Sequence, residues 1–245
     1  MRLRQVCLVA PEIGSATTEI RQLLGLGSAR HDESGGGQRD VIPLGHDFLE
    51  VSAPGSGDTP GGRIVLQAED GLMHRRRLVE MGVRTVYEED RDPDLWITRY
   101  HPGDCGGVSL EIDSVAPEFD HLDPECPWPP AGDDWLDQVR TAVLGGVLAV
   151  TLCSEDPRRM GLLWSDLLDQ PVFSHEGTSH IRLYNAGIRF EARHNGRGPG
   201  IESIDLAVSD LQRILEVAER LDRRTGERQV QAAGMRINLV DSVDL

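Results

Sequence analysis

Between residues 3 and 113 the chain runs twice through one order of signals: a short apolar strand, a helix, then further strands separated by turn residues. Residues 3–10, LRQVCLVA, are short and apolar enough for a strand buried on both faces, and Pro11 stops it. Residues 15–25 place Ile20, Leu23 and Leu24 at helical spacing, with Ser15 in a capping position and Glu19 in the first turns. A glycine loop at 35–37 leads to Val41–Leu44 and Phe48–Ala53, a hairpin around Gly45-His46-Asp47. After the flexible connection 54–62 come a strand at Arg63–Ala68 and a helix at Gly71–Met81 that Gly82 ends. Three more strands, Val83–Glu88, Leu95–Tyr100 and Val108–Ile112, close the second pass. A supersecondary unit repeated in this way constrains the fold strongly, because one copy alone cannot bury its apolar face.

The same order returns in the second half. Val147–Cys153 is a strand, Ser154 caps a helix rich in Met160, Leu162, Leu163, Leu167 and Leu168, and Ile181–Tyr184 pairs with Ile188–Ala192. A fourth, shortened copy comprises Ile201–Val208, a helix over Asp210–Leu221 and Met235–Val240. Between the halves, residues 114–134 are rich in proline and acid, which marks a linker or surface-wrapping segment, followed by a short helix at Trp135–Val143. The expected class is α+β, with tandem βαβββ units in two domains, 1–115 and 140–245, joined by a linker at 116–139.

Charge and cysteine usage narrow the function classes. With 25 Lys+Arg against 41 Asp+Glu the formal charge is −16, which disfavours nucleic acid and anionic membrane surfaces as partners. The cluster Arg75, Arg76 and Arg77 opposes that field locally but reads most simply as a solvated helix face. Cys7, Cys105, Cys126 and Cys153 are widely spaced without a CxxC pair, so neither a zinc ribbon nor a redox dithiol is indicated. No apolar stretch approaches the roughly 20 residues of a membrane span. A cytoplasmic protein with reduced thiols is expected.

Three segments carry a family likeness: Gln5–Pro11, Phe48–Pro54, and His101-Pro102 followed by Gly106-Gly107-Val108-Ser109-Leu110-Glu111-Ile112. Together they resemble the strand signatures of the glyoxalase/vicinal-oxygen-chelate superfamily, with the first domain similar to methylmalonyl-CoA epimerase-type modules. The resemblance implies two glyoxalase/bleomycin-resistance-like domains, each a pair of βαβββ units curled into a cup, that bind a small-molecule ligand and can form a homodimer. In that family four strand residues hold a divalent metal, and the matching places here are Gln5, Glu50, Arg63 and Glu111.

Arginine changes the chemistry of that set, because a guanidinium has no lone pair to give and stays charged. One reading has no cofactor, with Arg63 forked between Glu50 and Glu111 in charge-assisted hydrogen bonds. Another keeps a divalent metal on Gln5, Glu50 and Glu111, with Gln67, four residues beyond Arg63 on the same strand face, as a further ligand. The resemblance places His101 near the pocket as a substrate contact beside Gln67. His46, in a hairpin turn, is expected to be exposed. In the second domain the corresponding places fall at Leu148, Glu191, Ser203 and Asn238, which rules out a complete metal set there.

Two functions compete. A metal-dependent isomerase, lyase or dioxygenase would act on a small vicinal-oxygen or acyl-CoA substrate, with Glu50 or Glu111 as base and, in a metal-free variant, Arg63 holding an enolate oxygen. A binding protein would keep the cup and lose the metal. An assembly module with cups filled by side chains is a third reading.

Overall fold

Three helices begin on an aspartate whose side chain accepts a backbone N–H from the first turn. Asp70 caps α2 (Gly71–Glu80) through Met73 N at 2.8 Å, Asp156 caps α4 (Pro157–Leu168) through Arg159 N at 2.9 Å, and Asp210 caps α5 (Leu211–Arg220) through Arg213 N at 3.1 Å. The serines expected in this role do not fill it. Ser15 lies inside α1 (Ile13–Leu24), which Glu12 precedes without a side-chain cap, and Ser154 is the last residue of a strand. Gly25, at φ 71°, supplies the left-handed residue that closes α1.

The computed structural model describes residues 1–27, 30–32, 38–54, 60–91, 95–175, 177–193 and 198–244. The glycine loop 35–37 and most of the connection 54–62 lie outside them. The chain forms two eight-stranded mixed sheets. The first holds β1 (Arg2–Val9), β2 (Arg30–Asp32), β3 (Arg39–Leu44), β4 (Asp47–Ser52), β5 (Arg63–Gln67), β6 (Thr85–Arg91), β7 (Leu95–Tyr100) and β8 (Ser109–Val115), in the order β2-β3-β4-β1-β5-β8-β7-β6. The second repeats that order with β9 (Leu144–Ser154), β10 (Val172–His175), β11 (Thr178–Arg182), β12 (Gly187–Ala192), β13 (Gly200–Val208), β14 (Arg224–Gly226), β15 (Gln229–Ala232) and β16 (Met235–Asp241).

Four complete βαβββ units result, two per sheet. The fourth is not shortened: β14 and β15 are present, but they are too short and polar for apolar periodicity to reveal. Between the sheets the helix expected over Trp135–Val143 is a single turn, α3 (Trp135–Gln138).

One face of each sheet is covered by helices and carries the main core. Ile20, Leu23 and Leu24 of α1 pack there with Leu3, Val6, Leu49 and Ile64, and Trp164 of α4 lies 6.3 Å from the Phe190 ring. Alternation along each strand then sends Gln5, Glu50, Arg63 and Glu111 to the opposite, helix-free face of the first sheet.

The two modules are joined by polar contacts as well as apolar ones. Asn185, in the β11–β12 turn, accepts from Leu3 N at 2.8 Å and donates to Leu3 O at 3.0 Å, bridging to an irregularity in β1. It also donates to Asp47, which accepts from Arg2 at 3.1 Å and from Val147 N at 3.0 Å. The arginine cluster of α2 is not a simple solvated face. Arg75 pairs with Asp90 at 2.8 Å and donates to Thr98, while Arg77 reaches the carbonyls of Asp166 and Leu167 at the end of α4. A helix C-terminus leaves such carbonyls without partners, and a cation there is favourable.

Candidate functional site

The helix-free face of the first sheet brings Gln5, Glu50, Arg63 and Glu111 together. Strand register makes this unavoidable: Cys7 stands between Glu50 of β4 and Arg63 of β5, and Glu111 of β8 lies beside Val65. Arg63 donates through Nη2 to Glu50 Oε1 at 2.7 Å and through Nη1 to Glu111 Oε2 at 3.2 Å. Its Nε and Nη2 also lie 3.2 and 3.1 Å from Cys7 Sγ. Gln5 Nε2 donates to the other Glu50 oxygen at 2.7 Å, and Arg99 Nε donates to Glu111 Oε2 at 2.7 Å. Gln5, Glu50, Arg63 and Glu111 are deeply buried, with Glu50 and Arg63 each 1% exposed and Glu111 6%, while Arg99 is half-buried at the margin.

These residues do not fit a divalent cation in this arrangement. A guanidinium lies between the two carboxylates, both Glu50 oxygens are engaged, and Gln5 turns its NH2 toward them. Its carbonyl oxygen accepts from the Trp128 indole N–H at 3.1 Å. Among the described residues no group of three or more His, Cys, Asp or Glu side chains is placed to hold a metal ion.

Trp128 belongs to the acidic, proline-rich segment, which does more than connect or wrap. It crosses the helix-free face and fills it: Trp128, Ala131 and Trp135 pack with Cys7, Val41, Phe48 and Val65 in one buried cluster. The backbone of the same segment collects the arginines of β1. Arg4 donates to the carbonyls of Pro124 at 3.0 Å and Cys126 at 2.7 Å, and Arg2 to Leu122 at 3.2 Å. The Arg4 guanidinium also lies 5.2, 5.3 and 5.1 Å from the ring centres of Phe48, Trp128 and Trp135, an aromatic enclosure for a cation. Burial and the neighbouring Arg2 draw its pKa down to about 9, so it remains charged at neutral pH.

The other expected contacts fall elsewhere. Gln67 donates to Cys126 Sγ at 3.3 Å and is fully buried beneath the segment. His101 stands outside the Arg63 cluster, where Nδ1 accepts from Gly103 N at 3.0 Å and caps the 3-10 turn Pro102–Asp104 beside Arg84. His46 is half-buried, edge-on to Trp135 at 6.4 Å. Sequence reasoning passed over Trp128, Trp135, Arg4 and Arg99. A signal was there: two of the chain's four tryptophans, Trp128 and Trp135, sit within or directly after a proline-rich segment of an aromatic-poor protein.

Asp113 is the unbalanced group of this face. It is fully buried next to Gln67 in the ladder, and neither its carboxyl oxygens nor Gln67 Oε1 has a good hydrogen-bond partner among the described residues. Burial first, then the charge of Glu111, raises its pKa well above the ordinary 3.8, against the pull of Arg63 and the Thr98 N–H. A folded-state pKa above the unfolded one means that the native state holds the proton longer. The stability tied to that proton is complete below about 3.8 and is lost as pH rises toward the folded value. Asp113→Asn is therefore expected to melt above the parent at pH 8, with the gap closing near pH 4. A gap that is constant with pH would contradict a neutral Asp113.

In the second module the register corrects the expected correspondence. Gln5 is flanked by Phe48 and Val65, and Thr151 by Arg189 and Ser203; Cys7 is flanked by Glu50 and Arg63, and Cys153 by Glu191 and Gly200. The counterparts of Gln5 and Arg63 are thus Thr151 and Gly200, not Leu148 and Ser203. Arg236, beside Ser203, takes the place of Glu111 instead of Asn238. A shift in the β9–β13 pairing between Ile201 and Ser203 sets Gly200 opposite Cys153, which spacing alone could not show.

The floor of this second face is polar. Arg189 pairs with Asp205, Asn238 donates to Asp205 at 2.7 Å, Gln229 donates to Asn238 at 2.9 Å, and Arg236 pairs with Glu202. Toward β10 and β11 it opens into a cavity of about 640 Å³ lined by Phe173, Ser174, Thr178, His180, Arg182, Arg189 and Glu191.

Two eight-stranded sheets, each made of paired βαβββ units, define a tandem fold of the vicinal-oxygen-chelate, glyoxalase-like type. The chain is similar to a hypothetical protein from Staphylococcus aureus at TM-score 0.64 and 10% identity, covering 98% of both chains. It is also similar to a triple mutant of 4-hydroxymandelate synthase from Streptomyces coelicolor at TM-score 0.63 and 16% identity, covering 91% of this chain and 76% of that one. No family model and no curated protein matches the sequence. No helix among the described residues is long and apolar enough to cross a membrane.

Proposed function

We propose that this protein binds a small molecule on the helix-free face of its second module, and that the equivalent face of the first module is structural. The observation that carries this reading is the contrast between the faces: the chain's own Trp128 segment fills the first, while the second keeps an open cavity of about 640 Å³. That volume lies in the range of small-molecule sites, about 300–1,000 Å³. Metal-dependent isomerase, lyase or dioxygenase chemistry at Glu50 and Glu111 finds no support in a donor set already occupied by Arg63, Arg99 and Gln5.

Thr178→Trp places an indole in the second cavity without touching the first module. A thermal-shift screen of small metabolites against parent and variant tests the reading. Compounds that raise the parent Tm are expected to lose that effect in Thr178→Trp while the variant's own unliganded melt stays cooperative. Ligands that stabilise both proteins equally would place binding elsewhere and overturn the proposal.

A further inference from the structure

The chemistry of this cavity points to a class of ligand, an inference that rests on the binding reading above. Three of its lining groups lie on one side. Phe173 is 42% exposed, the His180 ring stacks on it at 5.6 Å and 28°, and the Arg182 guanidinium lies 5.3 Å from its centre. Direct pairing of Phe173 with His180, and of His180 with Arg189, fixes this order across β10, β11 and β12. The result is an apolar platform with cations along one edge.

Among the described residues Arg182 has the Phe173 ring but no carboxylate partner. Arg189 gives one nitrogen to Asp205, while its buried Nε has no hydrogen-bond partner among the described residues. The Arg189 side chain nonetheless lines the cavity and adds a second cation to it. The opposite end is acidic: Glu191, two residues beyond Arg189 on the same face of β12, lines the cavity and has no cationic partner among the described residues.

The charges decide between ligand types. Arg182 and Arg189 are balanced by Glu191 and Asp205, so the site is locally neutral, with Arg182, beside Gly187, at one end and Glu191 at the other. Around it the protein carries −16, a field that repels a free anion and leaves a molecule of zero net charge unopposed. An anion would meet Arg182 and Arg189 but face Glu191; a cation would satisfy Glu191 and leave the guanidinium edge unmet. We infer that the second-module cavity takes a zwitterion of amino-acid to dipeptide size, its carboxylate toward Arg182 and Arg189, its protonated amine toward Glu191, and an apolar side chain on Phe173.

Isothermal titration with three compounds at one ionic strength tests this: L-phenylalanine, 3-phenylpropionate, which lacks the amine, and 2-phenylethylamine, which lacks the acid. L-Phenylalanine is expected to bind at least tenfold more tightly than either of the others. Arg182→Ala is expected to weaken it about tenfold, and Glu191→Gln to reduce it to the level of 3-phenylpropionate. Both side chains are solvent-accessible, so both variants should melt like the parent. If 3-phenylpropionate or 2-phenylethylamine binds as tightly as L-phenylalanine and Arg182→Ala or Glu191→Gln weakens it, the zwitterion assignment is overturned while the cavity remains the binding site. If none of the three binds, the assignment is likewise overturned, and the Thr178→Trp screen separately decides whether the cavity binds anything.

Discussion

Arg63→Met is expected to destabilise the protein by about 3–5 kcal/mol, the usual cost of removing one partner from a buried ion pair. The reason is specific to this site. Glu50 and Glu111 stay buried when the guanidinium goes; Gln5 still donates to one and Arg99 to the other, but the cation between them is lost. Burial already raises the Glu111 pKa against the pull of Arg63, so without Arg63 its carboxylate form is disfavoured further. The triple variant Arg63→Met, Glu50→Gln, Glu111→Gln should recover most of the loss, because it removes the charges together with their partner. Urea unfolding measures both. An Arg63→Met protein with the parent's midpoint would show that the fork contributes nothing to stability.

Trp128→Ala should cost a similar amount, about 3–5 kcal/mol, through lost burial and the cavity left behind. It also removes the indole N–H from Gln5 and one wall of the Arg4 enclosure. Because the effect acts through the strap, hydrogen exchange should accelerate across residues 120–138 well before global unfolding. A loss below about 1 kcal/mol, the scale of a surface substitution, with unchanged exchange would mean that the segment merely lies on the sheet.

Much of the fold was legible in the sequence because it is written in local periodicity. The recurrence of strand, helix and strands identified the βαβββ units, and the acidic, proline-rich stretch marked the junction between them. Local signals failed where residues were polar or short. The β14–β15 hairpin has few apolar residues to announce it, and Ser15 and Ser154 gave way as caps to aspartates a few residues away or to none. Of the candidate site, Gln5, Glu50, Arg63 and Glu111 could be brought together because strand alternation fixes which side chains share a face.

The destination of the linker could not be seen. Its prolines and acids describe a segment that avoids regular structure, which is equally true of a solvated tether and of a strap. The tertiary structure decides between them, because only there do Arg2 and Arg4 meet the carbonyls of Leu122, Pro124 and Cys126, and Trp128 meets Gln5. The same holds for which face stays open. The order of the elements determined two like modules. Contacts between residues more than a hundred positions apart decided that one would be filled by its own chain and the other left with a cavity, since burial of an aromatic side chain depends on what the completed fold places beneath it.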